Sequence, residues 1–180
     1  PWFYIGNNED PRHVGKRPDL KGQVTVPDVL IQPHSAPLQI AFYAPPAGAV
    51  ATFPKDYAGD AFVTLHGSWN RAKRTGYKVV RVVLKDGQPT GEYEDFMTGF
   101  VTMNGDVWGR PVGVAVAKDG SLLVADDTGG TIWRISYKGP PAEHAAAPAE
   151  RIPRRSDSSA LASEVAPAAK CIGMSCARRG

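Results

Sequence analysis

Pro111-Val112-Gly113-Val114-Ala115-Val116, then Gly120-Ser121-Leu122-Leu123-Val124-Ala125, then Thr131-Ile132-Trp133-Arg134-Ile135-Ser136: this order of three apolar stretches decides the fold, because the chain contains it twice. The earlier copy runs Pro37-Leu38-Gln39-Ile40-Ala41-Phe42, Asp60-Ala61-Phe62-Val63-Thr64-Leu65 and Tyr77-Lys78-Val79-Val80-Arg81-Val82. Each stretch is short, rich in β-branched residues and bounded by turn formers, which reads as strand. Alternation is cleanest from Thr131 to Tyr137, as a half-buried strand requires. Three strands in a fixed order, returned to after roughly sixty residues, mark a bladed all-β repeat. The expected fold is all-β, a partial β-propeller of about two blades with flanking segments.

The copies differ most in one connection. The second turns from its middle to its last strand through Asp126-Asp127-Thr128-Gly129-Gly130. The first spends His66-Gly67-Ser68-Trp69-Asn70-Arg71-Ala72-Lys73-Arg74-Thr75-Gly76 on the same step. A scaffold does not need that length, so the loop is the first place to look for function.

Composition bounds the partners. The 180 residues, 42% of them hydrophobic, suffice for one sizeable domain or part of a larger one. With 19 glycines and 16 prolines, turns are favoured over long helices. The net charge of +3 is mild, and the basic residues are scattered or confined to the 66–76 loop and the tail. No basic patch is interleaved with aromatics, so nucleic acid is not an expected partner. No apolar run reaches the length of a membrane span, and no signal-peptide pattern is present. The opening Pro1-Trp2-Phe3-Tyr4 reads as the interior of a fold, so a fragment or processed product is expected. Both cysteines, Cys171 and Cys176, fall in the tail, so neither disulfides nor a cysteine metal site are expected to hold the body.

Along the chain, residues 1 to about 30 are polar and irregular, with turn signals at Gly6-Asn7-Asn8, Asp10-Pro11 and Arg17-Pro18. They predict loop with a short strand of a preceding blade. Residues 36–85 form the first three-strand unit, followed by a Lys85-Asp86-Gly87 hairpin turn and an outer strand over 91–97. Residues 111–137 form the second unit, with a tight turn at Lys118-Asp119-Gly120. The propeller part is expected to span 1–140. Residues 141–180, rich in Ala, Pro, Ser and charge, cannot bury enough surface to offset chain ordering and read as a disordered tail or linker. A marginal helix is conceivable over 159–166.

Candidate site residues follow from the repeat. In an antiparallel meander, the start of the first strand and the end of the second lie at one edge. His34 precedes Pro37 by three positions as Trp108 precedes Pro111, and Arg110 stands directly before Pro111. His66 ends the middle strand of the first unit where Asp126 and Asp127 end that of the second. All should therefore project from one rim. Each also has a plain structural reading. His34 and Arg110 suit exposed turns, Trp69 a blade edge, Arg71, Lys73 and Arg74 a solvated basic turn, and Asp126-Asp127 bonds to their own turn amides. Together, guanidinium, imidazole and indole groups at one mouth suit a flat polyanionic ligand, by carboxylate pairing and ring stacking.

His34-Ser35-Ala36-Pro37-Leu38, Phe62-Val63-Thr64-Leu65-His66-Gly67-Ser68-Trp69-Asn70-Arg71 and Trp108-Gly109-Arg110-Pro111-Val112-Gly113-Val114 resemble the soluble pyrroloquinoline-quinone-dependent sugar dehydrogenases, nearest the L-sorbosone dehydrogenase branch. The resemblance covers about residues 1–138. It implies a six-bladed propeller shared with soluble glucose dehydrogenase, and oxidation of an aldose or sugar aldehyde by hydride transfer to the quinone, with Ca²⁺ polarising it. It also implies a periplasmic or secreted location and a small-molecule sugar as substrate; the electron acceptor stays open. By position, Arg110 would bind a cofactor carboxylate, His66 or the Asn70-Arg71 pair would supply a cationic contact, and His34 and Trp108 would line the pocket. The family's catalytic His and calcium-binding carbonyls belong to early blades with no counterpart here, so no catalytic or metal-ligating residue is assigned and no sugar turnover is expected from this chain alone. Cys171-Ile172-Gly173-Met174-Ser175-Cys176 lacks the spacing and following His of haem attachment. Two other classes stay open: a calcium-dependent lactonase propeller and a non-enzymatic binding propeller.

Overall fold

A computed structural model describes residues 2–138 and the backbone of a strand at 174–179. The chain divides into two compact units, Pro1–Leu30 and Ile31–Gly180. The smaller holds β1 (Phe3–Tyr4) and β2 (Asn8–Glu9), paired antiparallel with Phe3 opposite Glu9. The expected short strand is thus half of a two-stranded ribbon. Asp10 then caps a single 3-10 turn, Pro11–His13, accepting from the Arg12 amide at 2.9 Å. The Arg12 guanidinium adds two bonds, at 2.9 and 2.6 Å, and these contacts hold the Asp10 carboxyl well below the usual carboxylate range.

The larger unit contains two four-stranded antiparallel sheets, each in chain order. The first is β3 (Pro37–Phe42), β4 (Ala61–Leu65), β5 (Lys78–Lys85) and β6 (Gln88–Met97). The second is β7 (Pro111–Val116), β8 (Leu122–Asp126), β9 (Thr131–Tyr137) and β10 (Met174–Arg179). All six repeated stretches are strands, and the outer strand of the first unit is longer than the expected 91–97. Lys85 pairs with Gln88 across Asp86 (φ 52°) and Gly87 (φ 74°), the two left-handed residues of a type I′ turn whose twist suits a hairpin.

The expectation of a disordered tail fails at its end. Met174 to Arg179 pair with β9 from Tyr137 to Ile132, supplying the fourth strand of the second sheet. Ladder pairing uses backbone groups, so an edge strand needs little of the apolar side-chain content on which that expectation rested. The helix proposed over 159–166 and Cys171 lie outside the described residues. The fold is all-β in three antiparallel sheets, with only 3-10 turns as helix among the described residues. Two adjacent sheets are not a closed propeller, and the described residues close no ring.

Directly opposed residues share a sheet face, so register assigns the core. Ala41, Phe62 and Arg81 lie on one face of the first sheet. Val114 and Val124, with Val116, Leu122 and Ile135, lie on one face of the second. β3 and β4 pack against β7, and Phe62, Val79 and Met97 join Val114, Leu122, Val124 and Ile135 in one buried cluster. Hydrogen bonds reinforce the contact. The buried Thr64 hydroxyl donates to the Val112 carbonyl at 2.8 Å, and Gln39 Oε1 accepts from the Val114 amide at 3.2 Å.

Tyr43, directly after β3, ties the sheets at the opposite end. Its hydroxyl donates to the Gly120 carbonyl and accepts from the Phe53 amide, both at 2.7 Å, in a fully buried position. Tyr43→Phe keeps the ring, which stacks on Phe53 at 4.8 Å, but leaves both backbone groups without that partner. The expected cost is about 1–3 kcal/mol, read as a lower urea midpoint at unchanged slope.

Candidate functional site

The rim forms where the paired ends of β3/β4 and β7/β8 come together. Pro37 pairs with Leu65 and Pro111 with Asp126, and a register shift follows each Pro, between Pro37 and Gln39 and between Pro111 and Val114. His66 and Asp127 are therefore the residues immediately beyond equivalent strand ends. They meet. His66 Nε2 lies 3.0 Å from Asp127 Oδ2, and Arg110 Nε donates to Asp127 Oδ1 at 3.1 Å and to Thr128 Oγ1 at 2.6 Å. Asp127 thus sits between an imidazole and a guanidinium drawn from two sheets.

Burial pushes the Asp127 carboxyl up, but the His66 hydrogen bond and the charges of His66 and Arg110 outweigh it and leave the group below its ordinary value. The stabilisation this carries is present at neutral pH and is lost as the pH falls through the native carboxylate range. The three side chains keep a quarter to nearly half of their surface, at 24% for His66, 44% for Asp127 and 42% for Arg110, so the cluster is open to ligand.

Asp126 has a different task. It is buried, and its Oδ1 accepts from the amides of Arg110 (2.9 Å), Thr128 (3.1 Å) and Gly129 (3.1 Å). These bonds fix the 126–130 turn and the Arg110 backbone, and the Trp133 indole reaches Oδ2 at 3.4 Å. Gly109 is forced by the same packing, because a Cβ there would stand 2.3 Å from the Phe100 ring and 2.8 Å from Asp126 Oδ2.

The long loop has a rigid base and an exposed tip. The amides of His66 and Gly67 bond the carbonyls of Ala36 and Ser35, both at 2.9 Å. Buried Ser68 donates its amide to the Thr75 carbonyl at 2.9 Å and receives the Thr75 amide on its hydroxyl at 3.1 Å. The Tyr77 hydroxyl donates to the Ser68 carbonyl, and the Tyr77 ring fills the space a Cβ on Gly67 would need. Three of the five non-glycine residues with positive φ among the described residues lie in these segments: His34 (66°), Ala36 (49°) and Tyr77 (54°). Side chains pay 1 to 3 kcal/mol, roughly, to sit there, and such strain gathers at functional sites.

Of the six sequence-derived candidates, His66 and Arg110 are brought together. Arg71 turns instead to the segment before β3, donating to the Pro33 carbonyl at 3.2 Å, beside exposed His34. Asn70 is exposed at the loop tip with Trp69, which is 85% exposed. Trp108 packs on Phe100 and Trp133 at ring separations of 5.2 and 6.1 Å, and its indole N–H donates to the Gly99 carbonyl at 2.8 Å. Its ring packs there while the residue stays 41% exposed. Asp127 is the member that sequence reasoning left as a turn residue; its place directly after the repeat-equivalent strand end was the available signal.

Similarity to known proteins follows the same region. Residues 15–138 match the family described as TrAA12-like. An uncharacterised protein of Borreliella burgdorferi is 34% identical over 140 residues, 77% of this chain and 35% of its own length. A pyrroloquinoline quinone-dependent pyranose dehydrogenase of Coprinopsis cinerea is 30% identical over 138 residues, 64% of this chain and 17% of that protein. The calcium structure of the Trichoderma reesei carbohydrate-active enzyme of family AA12 aligns with a TM-score of 0.52 at 26% identity, covering 72% of this chain and 32% of that one. Its iodide structure gives 0.53 at 25% identity, covering 69% and 31%. The chain therefore spans about a third or less of the length of the proteins it matches. The expected resemblance to quinone-dependent sugar dehydrogenases holds at this level, and the match is not specific to the glucose or L-sorbosone dehydrogenase branch. Matched from residue 15 to residue 138, the chain belongs to the TrAA12-like family.

Proposed function

We propose that this chain supplies one wall of the cofactor site of a quinoprotein that oxidises a sugar, with pyrroloquinoline quinone held at the rim. The observation that carries this reading is the Arg110–Asp127–His66 cluster at equivalent ends of two sheets. The donor set fits a ligand with several carboxylates. Arg110 offers a planar fork, and the adjoining 66–76 loop holds Arg71, Lys73 and Arg74 with no carboxylate of its own. When bound, the quinone supplies the acceptor for the hydride of a pyranose or related aldose. The chain's own residues bind and orient: Arg110 takes a carboxylate, Asp127 positions Arg110 and the His66 ring, and Arg71 with Asn70 and His34 borders the site from the loop side.

The two sheets are read as neighbouring blades of a six-bladed propeller, and the protein as acting outside the cytoplasm; no helix among the described residues is long and apolar enough to cross a membrane. A calcium ion beside the quinone would take its ligands from outside this chain, as the resemblance implies. No group of three or more His, Cys, Asp or Glu side chains that could hold a metal occurs among the described residues.

Titration of the full chain with pyrroloquinoline quinone, followed by tryptophan quenching, tests the reading. Saturable binding is expected, weakened about tenfold or more in Arg110→Gln with unchanged circular dichroism. No binding, or equal binding by the variant, would overturn it.

A further inference from the structure

We infer that Asp126 is a positioning residue that holds the guanidinium side and the aromatic side of the rim in register, one with each carboxylate oxygen. This role rests on the cofactor reading, since the two sides act together only where one ligand meets both. Asp126 is 3% exposed and so works through its neighbours. Its Oδ1 accepts the amides of Arg110, Thr128 and Gly129, which fixes the backbone around the Arg110 contacts with Asp127 and Thr128. Its Oδ2 faces the aromatic group. The Trp133 indole N–H donates to it at 3.4 Å, and a Cβ on Gly109 would strike both this oxygen and the Phe100 ring. Trp133 in turn meets Trp108, with ring centroids 6.1 Å apart and planes at 72°. Trp108 is 41% exposed and precedes Arg110 by two residues. One buried carboxylate therefore ties the backbone of the cation to the packing of the half-exposed ring beside it.

Asparagine separates this role from two plainer ones. Its amide has a single acceptor oxygen, and three buried backbone amides outweigh one indole in claiming it. The NH₂ group is then left against the Trp133 N–H, donor against donor, so Trp133 moves and Trp108 moves with it. If Asp126 served only as a negative charge, Asp126→Asn would strengthen the binding of an anionic quinone. If it served only the fold, stability would fall and affinity would stay. A positioning residue must instead weaken binding on substitution, and removal of the opposing donor must restore it.

Quinone titration of the full chain, of Asp126→Asn, of Trp133→Phe and of the double variant tests this. Asp126→Asn should bind about fivefold or more weakly, Trp133→Phe close to wild type, and the double variant within about twofold of Trp133→Phe. Stronger or unchanged binding by Asp126→Asn would overturn the proposal. So would a double variant as weak as Asp126→Asn, or a loss of cooperative folding in Asp126→Asn that the double variant does not recover. A second readout needs no ligand. Indoles this close couple their transitions and give paired circular-dichroism bands, which Trp108→Phe identifies by abolishing them. Folded Asp126→Asn should show these bands diminished, and bands at wild-type strength would also overturn the proposal. If wild type binds no quinone, the cofactor reading fails by itself, and the bands still decide whether Asp126 sets the packing of Trp108.

Discussion

Arg81→Met should cost about 3–5 kcal/mol of folding stability, enough to remove most of the margin of a domain this size. Arg81 is 6% exposed, and its guanidinium uses all of its edges. Nε bonds Asp60 at 2.5 Å, Nη1 bonds Glu94 at 2.8 Å, and Nη2 reaches the Asp56 carbonyl at 2.5 Å. The Tyr57 ring lies 3.7 Å beneath the guanidinium carbon. Burial works against the cation, but Asp60 and Glu94 outweigh it and raise the pKa, so the group stays charged. Methionine fills much of the volume and leaves two buried carboxylates, one fully enclosed, facing each other with no cation. Urea unfolding should show a large drop in midpoint or no cooperative transition. The triple variant Arg81→Met/Asp60→Asn/Glu94→Gln should recover part of the loss, because it removes the orphaned charges together with their partner. A single variant as stable as wild type would mean that the network contributes nothing.

This network also marks a limit of sequence reading. Arg81 sits in a stretch that reads correctly as a strand, yet nothing local tells that its side chain is enclosed; Asp60 lies 21 residues away and Glu94 13. Strands were legible because side-chain alternation and turn chemistry are local, as at Asp86-Gly87. β10 was not, because Met174–Arg179 joins its sheet through the backbone ladder with β9 and lies beyond a stretch poor in apolar residues. The same division runs through the site. Repeat position brought His66 and Arg110 to one rim, since both follow from strand ends. The Asp127 carboxylate between them depends on a contact 61 residues apart across two sheets. Trp108 shares the rim in sequence, whereas the packing of its ring on Phe100 and Trp133 is set by tertiary contacts that no local pattern shows.

Gly76→Ala is the second large effect, and it links the fold to the site. Gly76 has φ +77°, and a Cβ there would lie 2.7 Å from both the Gly67 Cα and the Ser35 carbonyl oxygen. Both obstacles are backbone, so no rotamer change relieves them. The left-handed conformation costs alanine about 1–2 kcal/mol and the overpacking about 1–3 more. Gly87 provides an internal control: its φ of +74° is nearly the same, with nothing within 4 Å of an added Cβ. Gly87→Ala should therefore lose only the conformational part, and the difference between the two variants isolates the close approach. The consequences at the rim should diverge as well. Separating Gly76 from Gly67 and Ser35 strains the Gly67 amide bond to Ser35, and with it the neighbouring His66 amide bond to Ala36, both 2.9 Å. His66 would then shift against Asp127, which also positions Arg110. Quinone affinity should fall several-fold in Gly76→Ala and stay unchanged in Gly87→Ala. Equal stability losses in the two variants would refute the close-approach argument. Unequal losses with equal affinities would show instead that the loop base holds the fold without setting the geometry of the site.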